Sequence, residues 1–434
     1  MEKYSDYNII VPFTDGYNIL YNSVSGYYCL LNPSTSEIIS AYKHKIPDLA
    51  VDHPDIYQNL LQNGSIVPES LDEFQMVETI KFERRFSSQQ YEIIVNPTMD
   101  CNLGCWYCYE SHLPGSEIDD RTVQNIIRHL YVKYGQNPFK TLVVSFFGGE
   151  PLLREKRVIE IIDGAEKFCL ENNVKLLIEF TTNCTVLTDT ILSRLQNLQV
   201  SFQITFDGDK NKHDKTRHYK NSDQGSYDKI IANMQRLTEA LTNYSLRVRF
   251  NCDNNTLNNK ISILDNLDFL DRKKAYIGIH RIWQVGEETI DKAKILEFIQ
   301  EASQRNFRVE FMPLERLREN ICYADLHNEA VINYDGNVFK CTARSFADQD
   351  KYGVLTDSGH ILWNIDRIRK RMFQKTPDIC KPCKLYPSCT GICLQHLLEV
   401  GEMQECNYLR NISMEELITI NFQMNYLQKN IQRL

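Results

Sequence analysis

The 434-residue chain has no apolar run of the eighteen or so residues that a bilayer-spanning helix needs, which excludes a helical membrane span as its organising element. The opening stretch, MEKYSDYNII, has neither the basic n-region nor the apolar h-region of a secretory signal, so a cytoplasmic protein without a membrane partner is expected. Positive charge is not in excess either. Lys and Arg number 49 against 57 Asp and Glu, a net charge of -8, and no concentrated Lys/Arg stretch occurs to neutralise phosphates, so no nucleic-acid partner is expected. Internal repeats and low-complexity segments are also missing. Cysteine, by contrast, is plentiful, and ten of the 14 fall in short spacings. Such clusters in a cytosolic chain bind metal more often than they form disulfides.

A chain of this length suits one large α/β domain with smaller domains attached. Residues 7–31 read as a three-stranded meander, YNIIVPF, YNILYNS and GYYCLLN, with Asp15-Gly16 and Ser25-Gly26 as turns. Asn32 and Pro33 precede a helix, SEIISAYKH, and a second helix around Ile56 to Gln62 stops at Asn63-Gly64. A charged stretch, Glu69 to Arg85, reads as a linker. From Tyr91 to about Trp283, six apolar runs (YEIIV, TLVVSFF, VKLLIEFTT, VSFQITF, LRVRFNC, AYIGIHRIW) are separated by stretches with helical periodicity. That alternation predicts parallel strands with crossover helices. Near-continuous apolar runs predict burial on both faces, with active residues at the strand C-terminal ends. Beyond about residue 305 the periodicity weakens. Asp335-Gly336 there reads as a type I′ hairpin turn, and the chain ends in an amphipathic helix, MEELITINFQMNYLQKNI.

The first apolar run leads directly into Cys101-Asn-Leu-Gly-Cys105-Trp-Tyr-Cys108. Three thiolates from one loop can converge on an iron–sulfur cluster and leave one iron without a protein ligand. A zinc site with a distant fourth ligand is the alternative that spacing alone leaves open. Gly148-Gly149-Glu150-Pro151 follows the second run, Thr182-Asn183-Cys184 the third, and Thr205-Phe206-Asp207-Gly208 the fourth, after which comes His213-Asp214-Lys215-Thr216-Arg217.

This set of motifs resembles the radical S-adenosylmethionine (SAM) superfamily, whose CxxxCxYC, GGEP, TNG, SxDG and HDxxR stretches occur in this order. The resemblance implies a (β/α)6 partial TIM barrel over residues 86–305. It also implies a [4Fe–4S] cluster on Cys101, Cys105 and Cys108 whose open iron chelates SAM, with reductive cleavage giving a 5′-deoxyadenosyl radical. By the same resemblance Tyr107 lies near the adenine, while Gly148, Gly149, Glu150, Pro151, Asn183, Thr205 and Arg217 contact the cofactor. Glu150 offers its carboxylate to the SAM ammonium. Cys184 departs from the family's glycine and puts a close backbone approach there in doubt.

Near the C-terminus, Cys322, Gly336 and Cys341 precede Cys380, Cys383, Cys389, Cys393 and Cys406, in the spacing of the seven-cysteine SPASM pattern. A SPASM domain over residues 306–434 implies two auxiliary [4Fe–4S] clusters, making three in all. One is fully held by Cys380, Cys383, Cys389 and Cys406. The other has only Cys322, Cys341 and Cys393, with Asp325 or His327 as candidate fillers of its fourth position. Cys29, Cys169, Cys184 and Cys252 fall in apolar contexts, where free cysteine packs as a small hydrophobe. SPASM proteins mostly modify peptides, and the order of elements in residues 1–85 resembles the winged-helix-like recognition domain of ribosomal-peptide maturases, where a leader peptide adds as a strand. The expected partners are therefore a precursor peptide with its leader and an electron donor such as flavodoxin or ferredoxin. The incomplete inner cysteine set favours a cysteine thioether crosslink as product. Carbon–carbon or carbon–oxygen crosslinking, formylglycine formation of the anaerobic sulfatase-maturating type, and an iron–sulfur electron carrier without enzymatic activity are the alternatives.

Overall fold

The meander forms where the sequence places it. In the computed structural model, which describes all residues except 254, 283–290, 315, 318–320, 390, 391, 403, 404, 407 and 432–434, the chain starts with β1 (Glu2–Tyr4) and continues through β2 (Asn8–Pro12), β3 (Asn18–Asn22) and β4 (Tyr27–Leu31). The last three pair antiparallel in sequence order, and β1 pairs instead with β5 (Ile66–Pro68). Asp15 and Gly16 both have positive φ, 55° and 78°, as the type I′ geometry requires. The helix Pro33–Tyr42 is capped by Asn32, whose side chain accepts from Thr35 N, and Pro54–Gln62 supplies the second expected helix. A further helix, Ile46–Asp52, was not foreseen. Leu20 and Leu31 on one face of the sheet bury against Ile39, Leu49 and Leu60 from these helices.

The stretch read as a linker is a helix, Glu73–Arg85. Its signals are present in the sequence: Asp72 accepts from Gln75 N at the N-cap, Arg84 and Arg85 occupy the last turn, and Phe74, Val77 and Ile80 recur at helical spacing. High charge on the solvent side masked a stripe that packs with Tyr7, Leu317 and Tyr386. Residues 1–87, 312–327 and 369–430 together make one of two compact units in the chain. The C-terminal helix, Met414–Ile431, belongs to this unit, and Phe422 on it meets the rings of Phe13 and Tyr28 from the meander at 5.6 and 6.2 Å.

The other unit, built from residues 88–311 and 328–368, carries the large sheet. The six apolar runs become β6 (Gln90–Asn96), β7 (Thr141–Phe146), β8 (Lys175–Thr182), β9 (Val200–Phe206), β10 (Tyr244–Cys252) and β11 (Ala275–Arg281). They are parallel neighbours in sequence order, and β12 (Arg308–Phe311), missed in the sequence, extends the parallel run. Trp283, in the sixth run, lies outside the described residues. On the far side of β6 come β13 (Glu329–Asn333), parallel to it, and then the antiparallel β14 (Asn337–Phe339), β15 (Gly353–Leu355) and β16 (Ile361–Trp363), completing an 11-stranded mostly parallel sheet of an α/β fold. The hairpin at Asp335-Gly336 exists, but its turn is not type I′. Gly336 has a positive φ of 79° and its N–H reaches Asn333 O at 2.9 Å, so the turn centres on Tyr334 and Asp335, with the glycine following.

Burial on both faces holds along most of β6 and β7, where residues 93–96 and 142–146 are all buried, but the flanking β8, β9 and β10 mix buried with half-buried positions. They alternate. One face is apolar, with Phe146, Phe180 and Phe202 at matched register and stacked at 5.1 and 5.3 Å. The other carries Glu92, Ser145, Glu179, Gln203, Thr205, Arg247, Arg249 and His280, joined across strands by Ser145 to Glu179 at 3.0 Å, Ser201 to Ser245 at 3.0 Å and Arg247 to His280 at 2.9 Å. Charged and hydroxyl residues stand within the runs that the sequence presents as near-continuously apolar. Their period of two is instead the signature of a sheet with one polar face.

Candidate active site

Consecutive parallel pairing brings the carboxyl ends of six strands side by side, and one cleft is lined by all of them. Its walls are Cys101, Cys105, Tyr107 and Cys108 after β6, Phe147–Gly149 after β7, Thr181–Asn183 on β8, Gln203 and Thr205 on β9, Arg249 and Asn251 on β10, and Arg281 with Ile282 at the end of β11; Arg217 joins them from the segment after β9. The sequence residues Cys101, Cys105, Cys108, Tyr107, Gly148, Gly149, Asn183, Thr205 and Arg217 are thus brought together. Glu150 and Pro151, next in sequence to Gly149, are buried and do not line the cleft.

The two glycines let β7 close on the cysteine loop. Gly148 has φ 106°, and a Cβ there would lie 2.3 Å from Thr98 O; one on Gly149 would lie 2.1 Å from Asp100 O. Backbone bonds Gly149 N to Thr98 O (3.1 Å) and Glu150 N to Asp100 O (2.9 Å) fix the approach. Glu150, fully buried, accepts from Thr182 Oγ1 at 2.7 Å, Asn183 N at 2.7 Å and Leu152 N at 3.0 Å, so its carboxylate joins the ends of β7 and β8. A carboxylate has about four acceptor sites, and these three contacts use three of them. Burial pushes Glu150 up to about 7 against the pull of these donors.

Asn183 turns its amide to the cysteine loop, donating to Asn102 Oδ1 at 2.9 Å and lying 3.7 Å from Cys101 Sγ, while Thr185 donates to its carbonyl. Cys184 next to it has φ 59°, the left-handed region that glycine favours, and is completely buried. The backbone conformation that glycine favours is therefore adopted here by a cysteine. Cys169 and Cys252 are also buried, as expected of packing cysteines.

Tyr107 is the centre of a buried polar group that the sequence did not foresee. Its hydroxyl donates to Asp207 Oδ2 at 2.6 Å and accepts from Arg217 Nη1 and Asn251 Nδ2, each at 2.9 Å. Arg217 forms a 3.9 Å ion pair with Asp207, and both are buried, so this arginine makes no exposed salt bridge. Asp207, Asn251 and Asn102 were quoted in or near motifs without a role; only the tertiary fold joins them. Glu110 also lines the cleft, with both carboxylate oxygens buried and no hydrogen-bond partner among the described residues, and burial pushes it up to about 9.

The donor set fits an iron–sulfur cluster. Burial raises all three loop thiols, Cys101 to about 12, and Cys105 reinforces the effect on Cys101 and Cys108 while Arg217 opposes it. Thiols held protonated in this way need cationic metal to become ligands. Among the described residues no three His, Cys, Asp or Glu side chains converge at the spacing of a single ion. The three thiols instead share the wall of one cleft.

In the unit that contains the N-terminus, Cys380 is pushed up to about 11 by burial, with Cys383 and Cys406 adding to the rise and the Ile392 N–H opposing it; the N–H groups of Leu385 and Tyr386 act likewise on Cys383. Lys81 donates to Cys389 O at 2.9 Å, and burial lowers it to about 8. Cys383 and Cys406 thus act on Cys380, and Cys406 on Cys383, while Cys389 acts on Lys81. Cys322 and Cys393 lie in the same unit and Cys341 in the other. Asp325, a candidate filler of the inner set, is held by Arg371 in a buried 2.7 Å pair.

Residues 95–250 match the Radical SAM superfamily model. A relative from Methanocaldococcus jannaschii, "Uncharacterized protein MJ0907", is 29% identical over 140 residues, 32% of this chain and 46% of that one, so the match spans about half the relative's length. Among solved structures, anSMEcpe with bound AdoMet and Kp18Cys peptide superimposes with a TM-score of 0.56 at 14% identity, covering 80% of this chain and 100% of that one. SuiB of Streptococcus suis gives 0.51 at 15% identity over 95% and 99%, and its complex with the precursor peptide SuiA gives 0.50 at 15% over 92% and 97%. These likenesses are of fold.

Proposed function

We propose that the chain is a radical SAM enzyme that modifies a ribosomally made precursor peptide, forming a cysteine thioether crosslink. The observation that carries the reading is the single cleft in which the thiols of Cys101, Cys105 and Cys108 meet Gly148, Gly149, Asn183 and Thr205 at the strand ends. A [4Fe–4S] cluster held there supplies, when loaded and reduced, the electron that cleaves SAM and starts hydrogen abstraction from substrate. The chain's own residues position the reactants. Glu150 keeps one acceptor site for the SAM ammonium, and Arg249 and Arg281 give the opposite wall positive charge for a carboxylate.

Peptide as substrate is supported by the precursor peptide bound to SuiB and the peptide bound to anSMEcpe. Residues 1–85 serve as the winged-helix-like leader-binding domain. In the three-stranded sheet β2 and β4 are the edges. Lys384 Nζ takes the Asn8 carbonyl of β2 at 3.1 Å, which favours β4, with its exposed Leu30, as the edge to which a leader adds. Cys322, Cys341 and Cys393 number one short of the four thiols that close a [4Fe–4S] cluster, which supports an inner centre with an open position for a substrate thiolate, hence the thioether. The tetrad of Cys380, Cys383, Cys389 and Cys406 holds the outer cluster, for three in all.

The test is anaerobic turnover of a full-length precursor peptide with SAM and dithionite, read by mass spectrometry before and after alkylation. Loss of two hydrogens per link with one cysteine newly protected from alkylation is expected. Loss of two hydrogens with every cysteine still alkylatable replaces the thioether by a carbon–carbon or carbon–oxygen link. Release of 5′-deoxyadenosine without any peptide change overturns the peptide reading.

A further inference from the structure

Within the unit that contains the N-terminus, basic residues far apart in sequence gather around exposed aromatic rings. The helix Glu73–Arg85 carries Lys81, Phe82, Arg84 and Arg85, and residues 369–375 read Arg-Lys-Arg-Met-Phe-Gln-Lys. Phe86 joins the two segments, its ring 4.7 Å from Phe82 and 5.5 Å from Phe373. Phe82 is 50% exposed and Phe373 62%. Large exposed aromatics flanked by charge mark an interaction surface rather than an accident of packing.

Of the acids nearby, Glu83 is exposed on the same helix, while Glu78 and Asp325 are engaged. Glu78 accepts from Tyr386 and Thr376, and Asp325 is paired with Arg371. Arg84 and Lys375 are exposed, and Lys81, Arg85 and Lys375 line one cavity together with Cys380, a ligand of the outer cluster under the reading above. Lys81 also sits over the Tyr386 ring at 4.4 Å while bonding Cys389 O. A positive, aromatic-centred face on a chain of net charge -8 therefore adjoins a cluster ligand.

We propose that this face docks a small acidic one-electron carrier protein, which reduces the outer cluster. One electron leaves the reduced carrier and enters the oxidised cluster, with no bond made or broken and no proton required. Positive charge complements the carrier, steers it and sets a salt-dependent on-rate, while the exposed rings give a small contact of the size that transient electron-transfer pairs use. The inference rests on the radical SAM reading but is tested separately from peptide chemistry.

The probe is a bacterial flavodoxin, with a bacterial ferredoxin as second carrier, added to the full-length, iron-loaded chain. Affinity is read by fluorescence anisotropy at low and high salt, and cluster reduction by stopped-flow absorbance with reduced flavodoxin. Arg84→Glu combined with Lys375→Glu is expected to weaken binding and slow reduction at least tenfold at low salt, with iron content and dithionite-driven SAM cleavage unchanged. Phe373→Ser is expected to weaken binding at both salt concentrations and serves as the second variant if the charge reversal lowers iron content. The proposal is overturned if neither carrier binds the wild-type chain saturably or if both variants bind and reduce as wild type does. It is also overturned if they lose affinity for an acidic leader peptide while keeping flavodoxin binding. Failure of the wild-type chain to modify peptide with dithionite would sink the peptide reading and leave these measurements standing.

Discussion

Tyr107 and Asp207, 100 residues apart in the chain, are joined by a 2.6 Å hydrogen bond inside the wall of the cleft. The tyrosine of the CxYC motif is thereby tied to the strand end that carries TFDG, and Arg217 and Asn251 complete the group. Tyr107→Phe removes one oxygen and leaves three buried groups short of a partner, so a loss of about 1–3 kcal/mol in denaturant unfolding is expected. A double-mutant cycle with Arg217→Met should show coupling; simple additivity of the two losses would show that the bonds act independently.

Gly149→Ala should prevent loading of the SAM cluster, because the new Cβ would lie 2.1 Å from the Asp100 carbonyl, which leads into Cys101. Iron content and SAM binding both report it. Gly135→Ala, in a helix with nothing within 4 Å of the new Cβ, is the control and should stabilise by up to about 1 kcal/mol. Normal iron loading of the Gly149 variant would refute the role assigned to this contact.

Cys184 gives a prediction with an unusual order. Left-handed backbone costs an L-residue about 1–2 kcal/mol, and alanine at 184 keeps that cost while losing the buried sulfur. Glycine loses the same sulfur but relieves the backbone. Thermal unfolding should therefore rank Cys184→Gly above Cys184→Ala, although alanine is nearer in size to cysteine. The reverse order would mean that packing outweighs backbone strain at this site.

Glu92 on the polar face is pushed up to about 8 by burial, with Glu179 and Glu329 adding to the rise and Ser145 and Lys340 opposing it. The folded state thus keeps a proton that the unfolded chain releases near 4.5. The stabilisation is present below about pH 4.5 and is lost as pH rises toward 8, with a slope of at most about 1.4 kcal/mol per unit. Glu92→Gln should flatten the fall in unfolding free energy between pH 5 and 8. Parallel pH profiles for the two proteins would refute the shift.

Much of the site was legible because its residues are consecutive in motifs. Cys101 to Cys108 and Gly148 to Pro151 each form one turn of chain, and the strands that present them announce themselves by composition. What stayed hidden depends on register. Glu92, Glu179 and Arg247 have no visible common purpose in their runs until pairing places them on one face, and Asp207 gains its role only when β9 carries it beside Tyr107. The helix Glu73–Arg85 was passed over because its solvent side is so charged, although Asp72 and the two terminal arginines mark its ends. Conversely, the left-handed backbone at Cys184 is unreadable from a sequence in which glycine is the residue that such a conformation favours.

The alternation of the strands also divides the sheet by tolerance to change. The phenylalanine ladder of Phe146, Phe180 and Phe202 is close-packed, so a truncation such as Phe180→Ala costs about 3–5 kcal/mol. The face bearing Arg247, Arg249 and His280 contributes through local polar bonds, whose individual replacement costs less. Relatives that share this backbone can therefore diverge on the second face at little expense in stability, and divergence in substrate choice should be sought among those positions.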